Sequence, residues 1–218
     1  HPNSTWGTIE GNICQNAATQ NCLMAKPHFM LNVTLNGEKE ITNVFAGDVI
    51  EAHRLGCTFV KKHAMWAVDK PFDVVVTTNS GYPLDQNLYQ TVKGMSAAAE
   101  IVRQGGAILA VSECSDGLPN HGNYADILKM RKTPQELLDM INDPSFRLFD
   151  QWEAQKQAMI QVKADCYLYS SLDKETVKQA MLTPVDDVNK TLDELIAKYG
   201  QRVAVLPLGP LTIPYVKE

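Results

Sequence analysis

Alternating apolar and polar positions in the first third of the chain predict a β-hairpin followed by a helix. Phe29–Leu35 and Ile41–Phe45 alternate on either side of Asn36-Gly37, a dipeptide that favours hairpin turns. Asp48 follows the second of these segments and has the side chain of a helix N-cap, with a glutamate three residues later as in a capping box. We therefore expect an antiparallel hairpin that leads into an amphipathic helix.

Continuous apolar runs replace the alternation in the next part of the chain. Val74–Thr78 and Ala107–Val111 are apolar or β-branched throughout, as expected for strands that are covered on both faces. An Ala- and Met-rich segment from about Gln86 to Arg103 lies between them and predicts a helix, for which Asp85 is a suitable N-cap. This strand–helix–strand order predicts a βαβ unit with a right-handed crossover.

The remaining sequence repeats this alternation more loosely. Its apolar periodicity predicts further helices and strands near Tyr124–Arg131, Pro134–Ile141, Asp150–Lys163, Cys166–Tyr169, Val185–Tyr199 and Val203–Leu206. Alternating strands and helices indicate an open, mainly parallel α/β sheet with helices on both faces, a Rossmann-like fold to which the N-terminal β-hairpin is added. Because no linker or repeat divides the sequence, we expect a single α/β domain over residues 1–218.

Composition and charge narrow the class of protein further. Of the 218 residues, 44% are hydrophobic and 21% are charged, which is ordinary for a globular protein. The net charge of -5 and the scattered Lys and Arg residues argue against nucleic acid or a membrane surface as a partner. No apolar run approaches the roughly 18 residues of a membrane span.

Cysteine and histidine positions bear on redox compartment and metal binding. The five cysteines are odd in number and include no CxxC pair, which favours a reducing, cytoplasmic location without a disulfide framework. His53 and Cys57 are four residues apart on a predicted helix and could share a metal ion. A closed zinc site needs about four ligands, however, so we interpret the pair as part of an amphipathic helix and predict no metal site.

The strongest candidate for ligand chemistry is the start of the predicted helix after the first buried strand. Ligands of open α/β sheets bind beyond the carboxyl ends of the strands. Tyr89 and Lys93 share a face in the first two turns of that helix, and Gln90 is three residues from Lys93. A phenol, an amide and an ammonium at a positive helix end would suit a small carboxylate. The alternative is a partly exposed helix face on which the lysine stem lies along apolar surface.

Two other features allow weaker hypotheses. The loop after the second buried strand contains Glu113, Cys114, Asp116 and His121, so an acid/base pair of Glu113 with His121 or a Cys114 nucleophile is conceivable, but no third orienting group is assignable. Trp152 begins a predicted helix, where packing is a commoner role for tryptophan than lining a ligand site. The glycine fingerprints of dinucleotide and P-loop sites are absent.

The segment that leads into the Tyr89 helix resembles a known family. Its sequence, GYPLDQNLYQTVKG over residues 81–94, is similar to the signature of the C-terminal domain of the nickel-pincer-dependent lactate racemase family. Further matches cover essentially the whole chain: Gly11-Asn12, Gly47-Asp48, Ala52-His53, Gly105-Gly106, Asp150-Gln151-Trp152 and Leu206–Pro210. The chain departs from the family at Ser80, where many relatives have a second glycine.

The resemblance implies a function and roles for particular residues. Members of the family invert a 2-hydroxy acid such as lactate by hydride abstraction and return, using a nickel-pincer nucleotide attached to a lysine of an N-terminal domain that also supplies the catalytic histidines. The C-terminal domain is implied to contact substrate through Lys93, Tyr89, Gln90 and Trp152, and cofactor through Tyr89 and Gln90. No catalytic residue and no metal ligand is implied in this chain. On this basis Trp152 becomes a wall of the substrate site.

The resemblance also sets expectations for the chain as a whole. It begins at His1 rather than Met, which we interpret as the C-terminal half of a two-domain racemase without its N-terminal domain. We expect this piece alone to be inactive and to hold no cofactor, and we expect its partners to be that N-terminal domain and a small 2-hydroxy acid. The alternative is a non-catalytic α/β interaction module or a nucleotide-binding module.

Overall fold

The computed structural model describes residues 3–5, 7–119 and 121–217. The chain divides into two compact units, and the boundary along the sequence lies between Trp66 and Ala67. His1, on which the expectation of a fragment partly depends, lies outside the described residues. The sequence pattern predicts one domain over 1–218, whereas the structure has two compact units. The number of independent domains stays a prediction.

The first unit contains the predicted hairpin and helix. Its elements are α1 (Ile13–Met24), β1 (Met30–Leu35), β2 (Ile41–Gly47) and α2 (Val49–Ala64). The two strands pair antiparallel, with Met30 opposite Gly47, which confirms the hairpin. The connection is longer than a two-residue turn, because the Asn36 side-chain oxygen accepts hydrogen bonds from the Glu38 and Glu40 amides. Asp48 caps α2 as predicted, accepting from the amides of the next turn.

The pair of His53 and Cys57 lies on α2, with the Cys57 sulfur 3.5 Å from the His53 Nε2. Partial burial raises the pKa of the Cys57 thiol. In the part of the chain that the structure describes, no group of three His, Cys, Asp or Glu side chains is placed to hold a metal ion. The two side chains contact each other across one turn of α2.

The second unit contains the parallel sheet. Its strands are β3 (Met65–Val68), which begins in the first unit, β4 (Phe72–Thr78), β5 (Val102–Val111), β6 (Ala164–Tyr169), β7 (Thr183–Pro184), β8 (Val203–Leu206) and β9 (Ile213–Val216). Its helices are α3 (Leu88–Ile101), α4 (Tyr124–Lys129), α5 (Pro134–Asn142), α6 (Gln151–Lys163), α7 (Lys174–Gln179) and α8 (Val188–Tyr199), with a 3₁₀ helix at Gly209–Leu211. Five strands pair in parallel in the order β7-β6-β5-β4-β8, while β3 and β9 form a separate ladder.

Helices cover both faces of the five-stranded sheet. Val75 and Ile108 are fully buried in the cluster that includes the apolar side chains of α3 and α6. The neighbouring positions Val74 and Leu109 are fully buried on the opposite face, with Leu195 of α8. Burial on both faces is the physical reason why β4 and β5 lack alternation, and it confirms the predicted Rossmann-like α/β fold.

The start of α3 differs from the prediction by two residues. Asn87, not Asp85, is the N-cap, because its side-chain oxygen accepts the Gln90 amide at 3.0 Å. Asp85 belongs to the preceding loop, where its carboxylate accepts the Glu113 amide at 3.3 Å and its carbonyl accepts the Cys114 amide. The pattern favours both residue types as caps, and only the loop contacts distinguish them.

The structure also bears on membranes and disulfides. None of the helices among the described residues has the length and apolar character that crossing a membrane requires.

All five cysteines are free thiols, and Cys114 and Cys166 are buried. Burial raises the pKa of both thiols.

Candidate functional site

The topology of the sheet marks one place for a ligand. The chain runs outward from β4 through β5, β6 and β7 and then returns to β8 on the other side of β4. In open α/β sheets, ligands bind outside the carboxyl ends of the strands where the strand order reverses in this way. At this edge the Thr78 hydroxyl donates to the Pro207 carbonyl at 2.6 Å and joins the ends of β4 and β8.

Two glycines, one in α3 and one in the 3₁₀ helix, allow the backbone to approach that edge closely. A Cβ atom at Gly94 or at Gly209 would overlap the carbonyl oxygen of Thr78, so neither position has room for a side chain. The Gly94 amide donates to the Asn79 side-chain oxygen at 3.0 Å, and the Thr77 hydroxyl donates to the Gly94 carbonyl at 3.2 Å. These contacts hold α3 in one position relative to the end of β4.

The loop from Asn79 to Asp85 bends sharply between β4 and α3. Ser80 has φ of 67°, a conformation that is uncommon for residues other than glycine, and this is the position where many members of the resembled family have glycine. The Asn79 amide donates to the Leu84 carbonyl inside the loop. Asp85 is buried, and its Oδ1 atom has no hydrogen-bond partner among the described residues.

The loop after β5 forms a hydrogen bond with a backbone amide at the start of α3, the helix end that was expected to bind an anion. The Leu88 amide donates to the Gly117 carbonyl at 3.4 Å, and the Asn87 side chain already accepts an amide of the first turn. The Cys114 amide donates to the Asp85 carbonyl at 2.9 Å, so the two loops are joined. Two of the first three amides of α3, those of Leu88 and Gln90, are therefore already bonded within the protein, and the side chains of this helix remain as groups that could contact a ligand.

The three predicted residues of α3 are close together. The Lys93 ammonium donates to the Gln90 side-chain oxygen at 2.6 Å, and Lys93 is exposed. Tyr89 is half-buried, with its ring edge-on to the ring of Tyr124 at a centroid distance of 5.3 Å. Burial raises the pKa of the Tyr89 hydroxyl.

The fourth predicted residue, Trp152, lies beside them in the first turn of α6. Burial raises the pKa of the Tyr89 hydroxyl, and the indole of Trp152 acts against this effect by lowering it. The indole packs edge-on to Phe149 at 5.3 Å and is 49% exposed, which is more than core packing would leave. It borders an open depression whose walls are formed by Arg147, Leu148, Phe149, Gln151, Trp152 and Gln155.

Sequence reasoning missed a buried carboxyl at the same place. Glu153 is only 9% exposed, and its burial raises the pKa of the carboxyl to about 7, although the charges of Lys93 and Lys156 oppose this shift. Glu153 and Gln157 are four residues apart, so they lie on one face of α6, and both are buried. This spacing of two polar residues was the one feature of the sequence that could have indicated a buried polar face. The spacing did not suggest burial, because a glutamate in the first turn of a helix is usually exposed to solvent, where it interacts with the positive helix end.

Tyr124 was also missed as part of this site. It is fully buried beneath Tyr89, and its hydroxyl donates to the Gln157 side-chain oxygen. The Gln157 amide in turn donates to the Ala180 carbonyl at 2.8 Å. Since each buried polar group in this chain of contacts has a partner, it forms a rigid support for the Tyr89 ring.

The weaker hypothesis for the loop after β5 is not favoured by the geometry. Cys114 is 1% exposed, and its sulfur lies 3.5 Å from the Thr91 hydroxyl and 3.6 Å from the Ser112 hydroxyl. Burial raises the pKa of this thiol, which disfavours a thiolate nucleophile. Glu113 and His121, the proposed acid/base pair, are both exposed.

An open parallel sheet with helices on both faces and a reversal of strand order next to β4 defines a Rossmann-like α/β domain. The model of the lactate racemase C-terminal domain family matches residues 68–211. The chain is 36% identical over 214 residues to the lactate racemase of Thermoanaerobacterium thermosaccharolyticum, which covers 96% of the chain and 50% of the relative. It is 36% identical over 209 residues to that of Lactiplantibacillus plantarum, with 91% and 49% covered. The chain belongs to the lactate racemase family and contains its C-terminal domain.

Solved structures agree with this assignment. The structure of the lactate racemase apoprotein from T. thermosaccharolyticum superposes with a TM-score of 0.90 at 34% identity, over 100% of this chain and 52% of that chain. A crystal structure of a Thermotoga maritima protein, 13% identical with a TM-score of 0.64, shares the fold. The resemblance that the sequence predicted is confirmed, and the chain spans about half the length of the curated relatives that it matches.

Proposed function

We propose that this chain is the part of a racemase that contacts substrate and cofactor, and that the whole protein inverts a 2-hydroxy acid such as lactate. The observation that carries the proposal is the position of Tyr89, Gln90, Lys93 and Trp152, which α3 and α6 present together at the carboxyl edge of the sheet. Membership of the lactate racemase family supports the reaction class.

Lys93 is suited to hold the substrate carboxylate. Its ammonium is exposed and uses one of its three N–H groups on Gln90, so two N–H groups are left for an anion. A compact cation that is already oriented by a neighbouring amide would fix the acid group while the bonds at the α-carbon change. Lys93 is thus a substrate-binding residue that does not itself take part in the bond changes.

Tyr89, Gln90 and Trp152 are suited to contact an aromatic cofactor and the body of the substrate. The described residues contain no set of three metal ligands, but a phenol, an amide and a half-exposed indole fit a pyridinium-type ring and a small polar acid. A nickel-pincer nucleotide, held mainly by the N-terminal half, would supply the hydride acceptor and donor. The contribution of this chain would be to orient the substrate and to exclude water on one side.

The partner in this proposal is the N-terminal half of the same protein, which we place in the cytoplasm. Large apolar side chains are exposed in the loops that follow β4 and β8, among them Tyr82 and Leu84 in the first and Leu208 and Leu211 in the second. Exposed apolar groups around a polar site are typical of a surface that another domain covers.

The proposal is tested on the full-length protein with L-lactate as the substrate, using polarimetry to follow inversion. Lys93→Ala is expected to lower turnover at least about tenfold, while nickel content stays near that of the wild type, because the ammonium orients the substrate and does not load the cofactor. Lys190→Ala, an exposed lysine of α8, is the matched control and should retain full activity.

Two results would contradict the proposal. One is a full-length protein that carries the cofactor and inverts no 2-hydroxy acid, and the other is a Lys93→Ala variant with wild-type kinetics. The 218-residue chain alone, assayed by polarimetry with added cofactor, is expected neither to retain nickel nor to racemise lactate. Tight binding of an adenine dinucleotide by this chain would favour the nucleotide-binding alternative.

A further inference from the structure

The hairpin of the first unit has an apolar face that is exposed. Leu31, Val33 and Leu35 alternate along β1, so their side chains lie on the same side of the hairpin. Val44 pairs with Val33, and Ile41 pairs with Leu35, across the two strands. Residues directly opposite each other share a face of the sheet. We call these five residues the hairpin face, and each of them is between 37% and 67% exposed.

The other side of the hairpin is covered by α2. The Phe45 ring of β2 meets the Phe59 ring of α2 at a centroid distance of 5.7 Å. An antiparallel sheet that is covered on one side normally has polar residues on the side that water reaches. The hairpin face consists only of leucine, valine and isoleucine instead. Its sequence is therefore that of a surface that is buried, although nothing in the first unit buries it.

The first unit also lacks a core of its own. Among its described residues, Ala52 is the one that is buried, and α1 buries none of its residues. Its sheet consists of two strands, and an isolated two-stranded hairpin is only marginally stable in water. In the second unit, by contrast, the apolar residues of the central strands are fully buried. A contiguous apolar surface on such a small unit marks a place where other protein packs.

The extent of the family match indicates which protein that is. The C-terminal domain model begins at residue 68, so the first unit lies outside it. The apoprotein structure of the T. thermosaccharolyticum relative matches 100% of this chain, and the matched part is 52% of the relative. The fold of the first unit therefore recurs in a protein that has about as much chain again. Elements contributed by that other half are the simplest source of a missing apolar layer.

We propose that the first unit belongs to the fold of the N-terminal half, and that the hairpin face packs against an apolar layer of that half. The boundary between the two domains then lies near Ala67. This inference rests on one part of the proposed function, namely that the partner is the N-terminal half of the same protein. It adds a second contact surface to the exposed loops after β4 and β8.

The direct test is photo-crosslinking in the full-length protein. Val44 is replaced by p-benzoylphenylalanine, which on illumination reacts with C–H bonds that it touches, and the crosslinked peptides are identified by mass spectrometry. The expected product has the mass of one polypeptide and joins position 44 to a peptide of the N-terminal half. The same replacement at Val162 of α6, which is 39% exposed, is the matched control and should give no such product.

A charge on the hairpin face gives a second measurement, which also serves if the bulky crosslinker prevents folding. Val33→Lys should lower the melting temperature of the full-length protein by at least about 5 °C, because the ammonium would be buried in an apolar layer. In the 218-residue chain, where Val33 is exposed, the same substitution should change it by less than about 2 °C. Val33→Ile keeps the face apolar and should resemble the wild type in both proteins.

Three results would overturn the inference. They are a crosslinked product with the mass of two polypeptides, which would assign the hairpin face to a second copy of the chain, the absence of any crosslink to the N-terminal half, and equal effects of Val33→Lys in the two proteins. None of these measurements depends on activity. A full-length protein that shows the expected crosslink and inverts no 2-hydroxy acid contradicts the proposed reaction alone, whereas an active protein without the crosslink overturns this inference alone.

Discussion

The ammonium of Lys93 donates to the side-chain oxygen of Gln90 at 2.6 Å, across one turn at the beginning of α3. The contact orients the lysine along the helix and toward the carboxyl edge of the sheet. The helix itself is held by backbone contacts at Gly94, so the lysine stem starts from a fixed backbone and the Gln90 contact restricts its charged end. Preorganisation of this kind lowers the cost of binding, since fewer side-chain rotamers must be fixed.

Removing the amide of Gln90 should therefore weaken substrate binding. In Gln90→Ala we expect KM for lactate to rise about fivefold, which corresponds to roughly 1 kcal/mol for one charge-assisted hydrogen bond. Steady-state kinetics of the full-length protein measure this. Gln135→Ala, which removes an amide that bonds to Asp139 on the exposed face of α5, is the control. An unchanged KM in Gln90→Ala would show that the Lys93–Gln90 contact does not serve the substrate.

Truncating Trp152 separates its proposed role as a wall from a role in packing. Trp152→Ala should lower kcat/KM at least about tenfold, since the proposed role of the indole is to form one wall of the substrate site. The half-exposed ring contributes little to the core, so thermal stability should fall by only about 1 kcal/mol. Trp152→Phe keeps an aromatic wall and should recover part of the activity. A large loss of stability with normal kinetics would indicate a packing role instead.

Gly94 should tolerate no side chain. A Cβ atom there would overlap the Thr78 carbonyl oxygen, so α3 would have to move away from the end of β4. We expect Gly94→Ala to destabilise the protein by about 1–3 kcal/mol, the usual cost of overpacking, and to lower activity because the tip of α3 shifts. Differential scanning calorimetry reports the change in stability. Gly37→Ala is the control, since nothing lies within 4 Å of the added methyl group. Equal melting temperatures for the two variants would contradict this prediction.

Glu153 also predicts how stability depends on pH. Its folded-state pKa of about 7 lies above the ordinary value of 4.5, so the folded protein binds this proton more tightly than the unfolded chain. The favourable contribution is complete below pH 4.5 and is lost as the pH rises through 7. At about 1.4 kcal/mol per pKa unit, ionising Glu153 costs up to about 3 kcal/mol. Glu153→Gln should therefore gain stability relative to the wild type between pH 5 and pH 8, in denaturant titrations at each pH. A stability difference that does not vary with pH would contradict this reasoning.

Much of the fold was predictable because it depends on local pattern. The apolar run of β4 and the alternation of the hairpin each predict a strand within a few residues of its observed bounds. The position of the α3 cap was predicted two residues early, because Asp85 and Asn87 are both good caps and only Asp85 is used by the neighbouring loop. The short strands β7 and β9 were missed, since a few residues have no periodicity and are strands only through their partners.

The candidate site also consists of residues that the sequence predicted and of residues that only the structure revealed. Tyr89, Gln90 and Lys93 lie within two turns of one helix, so the sequence by itself determined that they share a helix end, and the family signature drew attention to them. The family resemblance assigned Trp152 to the same site, and only the tertiary structure showed that its neighbour Glu153 is buried there. Those two residues follow much later in the chain, and they reach Tyr89 because the parallel sheet places α6 on the same face as α3. Helical periodicity acts between neighbours in sequence, whereas the burial that raises the pKa of Glu153 arises only when distant helices pack together.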